Sequence, residues 1–124
     1  MRLLLVEDKD SFRRLLVQAL AASPWEVTAF GDPGEALHAL ASSSYDVLVT
    51  DLEMPDEDGV SLLRRARRMM TLRGRRLPAL ALTAYGRSED RVRALAAGFN
   101  LHLGKPVNPA ELVLAVASLG GRTE

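Results

Sequence analysis

The chain has 124 residues, 48% of them hydrophobic, and its 16 basic and 16 acidic side chains give a formal net charge of zero. This size suits one domain over residues 1–124, and the composition excludes an intrinsically disordered chain and gives no sign of a nucleic-acid binder. The lack of cysteine excludes disulfides, thiolate metal sites and cysteine nucleophiles. Because the apolar runs are too short for a signal peptide or a membrane span, we expect a soluble, cytoplasmic protein without membrane contacts.

Short aliphatic runs alternate with helical patterns along the whole chain. Five runs have the length and composition of buried strands, at residues 2–6, 26–30, 46–50, 77–83 and 101–104. The second is the weakest of the five and is expected near an edge of the sheet. Five strands alternating with five helices predict right-handed crossovers and a mostly parallel sheet that is covered on both faces.

The helical patterns carry recognisable start and stop signals. The second helix is expected to begin at a capping Asp32 followed by Pro33, and the last at Asn108, which opens a variant of the capping box. The fourth helix is expected to run from Ser88 to a stop at Gly98. This fourth helix is predicted to turn three apolar side chains inward, namely Val92, Leu95 and Ala96.

Polar side chains stand at the ends of four predicted strands. Glu7 and Asp8 follow the first strand, Asp51 the third, Thr83 ends the fourth and Lys105 follows the fifth. Taken singly, each has an ordinary interpretation as a solvated, capping or turn residue. Parallel strands end at one edge of the sheet, however, where ligands bind near the topological switch point. Carboxylates gathered there repel one another unless a cation joins them, and Mg²⁺ suits such a site.

These groups have the chemistry needed for phosphoryl transfer, which depends on positioning and charge neutralisation. Asp51 would be the nucleophile and would form an acyl phosphate. Mg²⁺, Lys105 and the Thr83 hydroxyl would hold the phosphoryl oxygens. The chain has 14 arginines and only 2 lysines, so a lysine at position 105 suggests that a compact point charge is needed there.

The sequence resembles the receiver domain of two-component response regulators over essentially its whole length. The stretches that carry the likeness are LLVED at 4–8, DLEMPDEDG at 51–59, ALTA at 81–84 and GKP at 104–106. The resemblance implies a flavodoxin-like, doubly wound α/β fold with five parallel strands in the order 2-1-3-4-5 and five helices. The Glu-Asp pair at 7–8 and the segment at 82–85 resemble receivers of hybrid histidine kinases in particular.

The resemblance also implies roles for individual residues. Asp51 would be the phosphoacceptor, contacted by Thr83 and Lys105. Mg²⁺ would be bound by side-chain oxygens of Asp8 and Asp51, by Glu7 directly or through water, and by the backbone carbonyl of Glu53. The peptide bond between Lys105 and Pro106 would be cis.

Four further positions are expected to take part in the switch or to tune it, namely Glu53, Tyr85, His102 and Pro106. His102 stands where the family usually has a Tyr or Phe that swings inward on activation, and it is either a polar substitute for that residue or an exposed strand residue. By position, Glu53 and Tyr85 are hypothesised to flank the phosphoryl group and to set its lifetime.

The leading interpretation is a phosphoacceptor domain that takes its phosphoryl group from a phosphohistidine of a histidine kinase or a histidine phosphotransfer protein. It would not be a conventional enzyme, but would phosphorylate and dephosphorylate itself on Asp51. Phosphorylation would change the surface formed by the fourth helix, fifth strand and fifth helix. The chain would be a stand-alone regulator or a receiver cut from a hybrid histidine kinase. Its output partner is unknown. No direct DNA binding is expected, whereas a homodimer is possible.

Other interpretations stay open at this point. A degenerate receiver would act by protein contact alone. A small haloacid-dehalogenase-like phosphatase also uses an Asp nucleophile with Mg²⁺, but its signature has a second Asp where this chain has Glu53. A flavodoxin-like cofactor domain would have a Gly-, Ser- or Thr-rich loop after the first strand, where this chain is acidic.

An arginine-rich stretch is the remaining unusual feature. Seven arginines occur between Arg64 and Arg76, and most of those on the third helix lie opposite its apolar face. We interpret them as a solvated face, with a docking patch for an acidic partner as the alternative.

Overall fold

The computed structural model describes residues 1–54, 58–84 and 88–120, and these form one open sheet with helices on both faces. All strand pairs are parallel, and the strand order is β2-β1-β3-β4-β5. This confirms the predicted fold and the edge position of the second strand. The strands are β1 Arg2–Val6, β2 Glu26–Phe30, β3 Val47–Asp51, β4 Ala79–Thr83 and β5 Leu101–Gly104.

Five helices follow the five strands in turn. They are α1 Asp10–Leu20, α2 Pro33–Ser42, α3 Gly59–Leu72, α4 Ser88–Ala97 and α5 Pro109–Gly120. The Asn108 side chain caps α5, accepting from the backbone N–H of Ala110 at 2.9 Å. Asp32 occupies the N-cap position of α2 but its side chain makes no capping hydrogen bond, so that part of the prediction is wrong. None of the described helices is both long and apolar enough to cross a bilayer.

The sheet separates two hydrophobic clusters because successive strand residues point to opposite faces. On β1, Leu4 packs on the side of α2 and α3, whereas Leu3 and Leu5 pack on the side of α1 and α5. The central strands β3 and β4 are buried along their whole length. Each fully buried leucine stabilises the fold by about 1.5–3 kcal/mol. Because a slip by one residue would turn these side chains to the other face, the core fixes the register of the strands and thus the position of their ends.

The inward face of α4 differs from the prediction. Val92 and Leu95 are 65% and 49% exposed, and Ala96 is exposed as well. The buried residues of this helix are Asp90 and Ala94, which lie four positions apart on one face. The prediction took the larger apolar side chains as the core face, but the packed face of α4 carries smaller and polar groups.

Candidate functional site

Three carboxyl groups meet at the carboxyl edge of the sheet, as predicted. Glu7, Asp8 and Asp51 each offer an oxygen atom, and these oxygens lie within 4.8 Å of one another. β1 and β3 are neighbours in the sheet, so the residues that follow or end these strands must lie side by side. The N–H of Glu7 donates to the carbonyl oxygen of Phe30 at 3.0 Å, which extends the β1–β2 ladder and fixes the start of the acidic loop.

The Lys105 ammonium joins this cluster from the loop after β5. Its Nζ lies 2.6 Å from Oδ2 of Asp51 and 4.0 Å from Oε1 of Glu7. The same Nζ lies 4.9 Å from the ring centroid of Phe12 on α1, within the range of a cation–π contact. The peptide bond between Lys105 and Pro106 is cis, as predicted.

The Asp51 carboxylate is held at its other oxygen as well. Its Oδ1 accepts a hydrogen bond from the backbone N–H of Glu53 at 3.1 Å. α3 begins close behind it, and a Cβ on Gly59 would lie 2.6 Å from the carbonyl oxygen of Asp51. Only glycine allows this approach without a shift of the backbone. Asp51 is therefore a buried carboxylate in a fixed orientation.

Thr83 ends β4 beside this cluster and is also buried. Its hydroxyl donates to the carbonyl oxygen of Leu103 at 3.4 Å, a long and therefore weak hydrogen bond. The Thr83 carbonyl oxygen accepts from the N–H of Lys105 at 2.9 Å. A backbone hydrogen bond thus connects Thr83 and Lys105, the two residues predicted to hold a phosphoryl group.

The site has more negative than positive charge. Burial raises the pKa of Glu7 from its ordinary 4.5 to about 7, and the Asp51 carboxylate adds to this effect. The N–H of Lys9 and the Lys105 ammonium act in the opposite direction. Within the described part of the chain, Oε1 of Glu7 and Oδ1 of Asp8 are buried without a hydrogen-bond partner. Buried oxygens of this kind suit a hard divalent cation, which would favour the ionised carboxylates.

Two residues of α1 support the site and were not predicted to do so. The Phe12 ring lies 4.9 Å from the Lys105 ammonium. Arg13 donates from Nη1 to the carbonyl oxygen of Glu7 at 2.8 Å. An aromatic and an arginine within one helical turn of the acidic pair were the available signal, but neither contact follows from spacing alone.

The predicted tuning residues differ in their burial, and one of them lies outside the described part of the chain. Glu53 is exposed next to Asp51. Tyr85 lies outside the described residues. His102 lies on β5 and is partly buried, and its Nδ1 has no hydrogen-bond partner among the described residues.

Known proteins are similar to this chain in sequence and in fold. The family model for the response regulator receiver domain matches residues 3–117. The uncharacterized 14.6 kDa protein in the sodA1 3′ region of Leptolyngbya boryana is 43% identical over 94% of this chain and 87% of its own length. Protein PetR of Rhodobacter capsulatus is 37% identical over 94% of this chain, which spans about half (47%) of PetR.

A solved structure agrees over nearly the full length of both chains. It is the receiver domain of the sensor histidine kinase PA1611 from Pseudomonas aeruginosa, described with a magnesium ion coordinated in its active-site cleft. It superposes with a TM-score of 0.85 at 32% identity and covers 97% of each chain.

The parallel sheet of order 2-1-3-4-5, with an acidic cluster beside a lysine at its carboxyl edge, defines the class of flavodoxin-like receiver folds. The chain belongs to the receiver domain family of two-component response regulators, whose characteristic chemistry is phosphorylation.

Proposed function

We propose that Asp51 accepts a phosphoryl group from a phosphohistidine of a histidine kinase or a histidine phosphotransfer protein. The observation that carries the proposal is the buried Asp51 carboxylate, with the Lys105 ammonium 2.6 Å away and two further carboxyl groups within 4.8 Å. A buried carboxylate can act as a nucleophile toward an electrophilic centre, and the ammonium beside it can stabilise negative oxygens on that centre. A phosphoryl group has both an electrophilic centre and negative oxygens.

We further propose that the acidic cluster holds Mg²⁺. Asp8 and Asp51 would bind it with side-chain oxygens, Glu7 directly or through water, and Glu53 with its backbone carbonyl. Support comes from the unpartnered buried oxygens of Glu7 and Asp8 and from the magnesium ion in the related PA1611 receiver. When bound, Mg²⁺ supplies positive charge that neutralises the phosphoryl oxygens.

The chain's own residues would carry out the transfer. An oxygen of Asp51 forms a bond to phosphorus while the P–N bond of the donor phosphohistidine breaks, and the electron pair returns to the donor imidazole. Lys105 moves its ammonium from Oδ2 of Asp51 to a phosphoryl oxygen. The Thr83 hydroxyl exchanges its 3.4 Å bond to Leu103 for a shorter, charge-assisted bond to the phosphoryl group.

The switch would follow from the movement of Thr83. Its displacement changes the backbone at Ala84 and shifts the population of the surface formed by α4, β5 and α5. Exposed apolar side chains already stand on these two helices, at Val92, Leu95 and Leu114. They would make contact with the output partner, and the partner's identity stays open.

Three further roles of individual residues stay predictions. These are the self-dephosphorylation on Asp51, the control of its lifetime by Glu53 and Tyr85, and the switching role of His102. Homodimerisation, the cytoplasmic location and the origin as a stand-alone regulator or a hybrid-kinase receiver are untested as well.

Intact-mass measurement tests the proposal. The wild type and an Asp51→Asn variant are incubated with Mg²⁺ and a small phosphodonor such as an acyl phosphate. We expect one added phosphate on the wild type and none on the variant. If the wild type binds Mg²⁺ but gains no phosphate from either the small donor or a phosphorylated kinase, the chain is a degenerate receiver that acts by contact alone.

A further inference from the structure

A second polar cleft lies at the opposite, amino edge of the sheet. It is formed where α3 ends, where the chain enters β4, and where α4 turns into β5. Its volume is about 280 Å³, and arginines provide three of its seven lining residues, whereas none of the seven is acidic. Because the chain as a whole carries no net charge, this positive character reflects where the charges are placed.

Arg67 forms the inner wall of this cleft and is fixed by hydrogen bonds from all three of its nitrogen atoms. Nε donates to the carbonyl oxygen of Leu77 at 3.1 Å and Nη1 to that of Gly98 at 2.6 Å. Nη2 donates to Oδ1 of Asn100 at 2.8 Å. All three partners are neutral oxygens, so these contacts orient the guanidinium without neutralising its charge. Burial lowers the pKa of Arg67 from its ordinary value, and a nearby anion would favour the charged guanidinium.

The outer wall is also held in place by the backbone. α3 ends in a Schellman motif, in which the N–H of Arg75 donates to the Met70 carbonyl at 2.9 Å and that of Gly74 to the Thr71 carbonyl at 2.8 Å. Gly74 has a φ of 69°, the left-handed conformation that this motif requires. The backbone that carries Arg75 and Arg76 is therefore fixed, although both side chains are exposed.

One carboxylate stands near these charges. Asp46 lies 3.7 Å from Arg75, but its Oδ2 also accepts from the backbone N–H of Arg2 at 2.7 Å. Within the part of the chain that the structure describes, Arg76 has no ion pair at all. Among the described residues, Arg75 is thus the one arginine of the cleft with an ion pair, and its carboxylate partner is shared with the backbone N–H of Arg2.

We propose that this cleft binds the phosphate group of a small phosphorylated compound. Arg75 and Arg76 supply guanidinium groups, whose planar fork matches phosphate oxygens. The Thr71 hydroxyl and the amide nitrogen of Asn100 are further donors, since Oδ1 of Asn100 is already used by Arg67 and by the N–H of Ala79. A doubly charged group with three terminal oxygens makes use of this donor set more fully than a carboxylate does.

The size and walls of the cleft indicate the kind of compound. A volume of about 280 Å³ lies at the lower end of the range of small-molecule pockets. Leu77 and Pro78 give one wall an apolar surface. The cleft thus fits a phosphate group with a small organic body, and a larger body would extend into solvent.

This site is separate from the one at Asp51. β4 begins at Ala79 beside the cleft and ends at Thr83, about 13 Å away at the usual rise per strand residue. The inference does not depend on the proposed phosphorylation of Asp51, and its test is run without Mg²⁺ so that phosphate has no metal-assisted site at the acidic edge.

The test is an amide NMR titration of ¹⁵N-labelled chain at fixed ionic strength. The probes are inorganic phosphate, a nucleoside monophosphate, sulfate and a phosphoserine peptide. We expect saturable shifts at residues 71–79 and at Asn100 with phosphate and with the nucleotide. A double variant, Arg75→Gln with Arg76→Gln, should weaken binding by at least about tenfold, since two charge-assisted contacts are lost.

A matched variant controls for overall charge. Arg64→Gln with Arg68→Gln removes the same charge from exposed positions of α3 that do not line the cleft. We expect it to change the affinity by less than about threefold, as expected for screened surface charges.

Several results would overturn the proposal. These are the absence of saturable shifts, equal weakening by both double variants, sulfate binding as tightly as phosphate, and shifts confined to the Asp51 edge. Binding of the phosphoserine peptide without binding of the nucleotide would assign the cleft to a partner protein instead.

Discussion

The two edges of one sheet carry opposite charge by different means. At the carboxyl edge, Glu7, Asp8 and Asp51 gather around the single ammonium of Lys105, and the site is largely buried. At the amino edge, three arginines line a cleft that is largely exposed, and Arg75 lies 3.7 Å from the Asp46 carboxylate. The two sites therefore differ in the sign of their charge although the chain as a whole has no net charge.

This contrast shows what distinguishes a prepared site from a charged surface. The carboxyl edge keeps carboxylates in a desolvated position, which raises the pKa of Glu7 and leaves buried oxygens without partners. Folding alone gives no reason for such an arrangement, because buried like charges are unfavourable. The amino edge instead fixes the Arg67 guanidinium with neutral oxygens, and only its charge is left unneutralised.

The largest expected effect concerns Lys105, the cation that contacts the Asp51 carboxylate. Lys105→Met should slow phosphorylation of Asp51 by about 10²–10³-fold, because a charge that stabilises the transferring group is lost. The rate of mass gain with a small phosphodonor measures this. Lys9→Met is the matched control, since Lys9 is the only other lysine and contacts Glu7 through its backbone N–H. Equal slowing in both variants would contradict the role given to Lys105.

The next effect concerns the amino edge and is one of stability. Arg67→Met should lower the free energy of unfolding by about 2–3 kcal/mol, since three hydrogen bonds joining α3 to β4 and to the start of β5 are lost. Urea unfolding measures the change. Arg68→Met, at an exposed position on the same helix, should stay within about 0.5 kcal/mol. If Arg67→Met left the free energy of unfolding unchanged, the three hydrogen bonds of Arg67 would contribute no more to stability than its contacts with water.

Two glycines distinguish the packing of the two edges. Gly59→Ala should cost about 1–3 kcal/mol and should also slow phosphorylation, because its Cβ would lie 2.6 Å from the Asp51 carbonyl oxygen. Gly74→Ala meets no atom within 4 Å but has a φ of 69°, so it should cost about 1 kcal/mol. The phosphorylation rate of Gly74→Ala should be that of the wild type. A normal rate in Gly59→Ala would mean that the position of Asp51 tolerates this shift.

The last expected effect is the stabilisation by metal. Mg²⁺ at ten times its dissociation constant should raise the free energy of unfolding by about 1.4 kcal/mol. Thermal unfolding with and without Mg²⁺ measures this, and Asp8→Asn should remove most of the shift. A shift of the same size in Asp8→Asn would mean that the ion binds elsewhere.

Sequence patterns predicted the sheet and the grouping of polar residues at its carboxyl edge, because both depend on local signals. Short buried runs mark the strands, and parallel topology then brings Glu7, Asp51 and Lys105 to one edge. Family resemblance supplied the strand order and the cis bond before Pro106, and the structure agrees with both.

Contacts between distant segments could not be predicted in this way. Arg67 looks solvated in sequence because it lies on the polar side of α3, but its partners Gly98 and Asn100 are 31 and 33 residues away. The prediction of the inward face of α4 was wrong because this helix has apolar residues on two sides. Only packing against the sheet selects the face that carries Ala94. The cation–π contact of Phe12 depends on a loop that lies far along the chain.

Locating the phosphorylated residue tests the central claim most directly. The chain is phosphorylated in the presence of Mg²⁺, the acyl phosphate is reduced with borohydride, and the modified residue is identified by tandem mass spectrometry of its peptides. We expect modification at Asp51 and at no other position. Modification at another carboxylate such as Asp8, or at a histidine with Asp51 untouched, would contradict it.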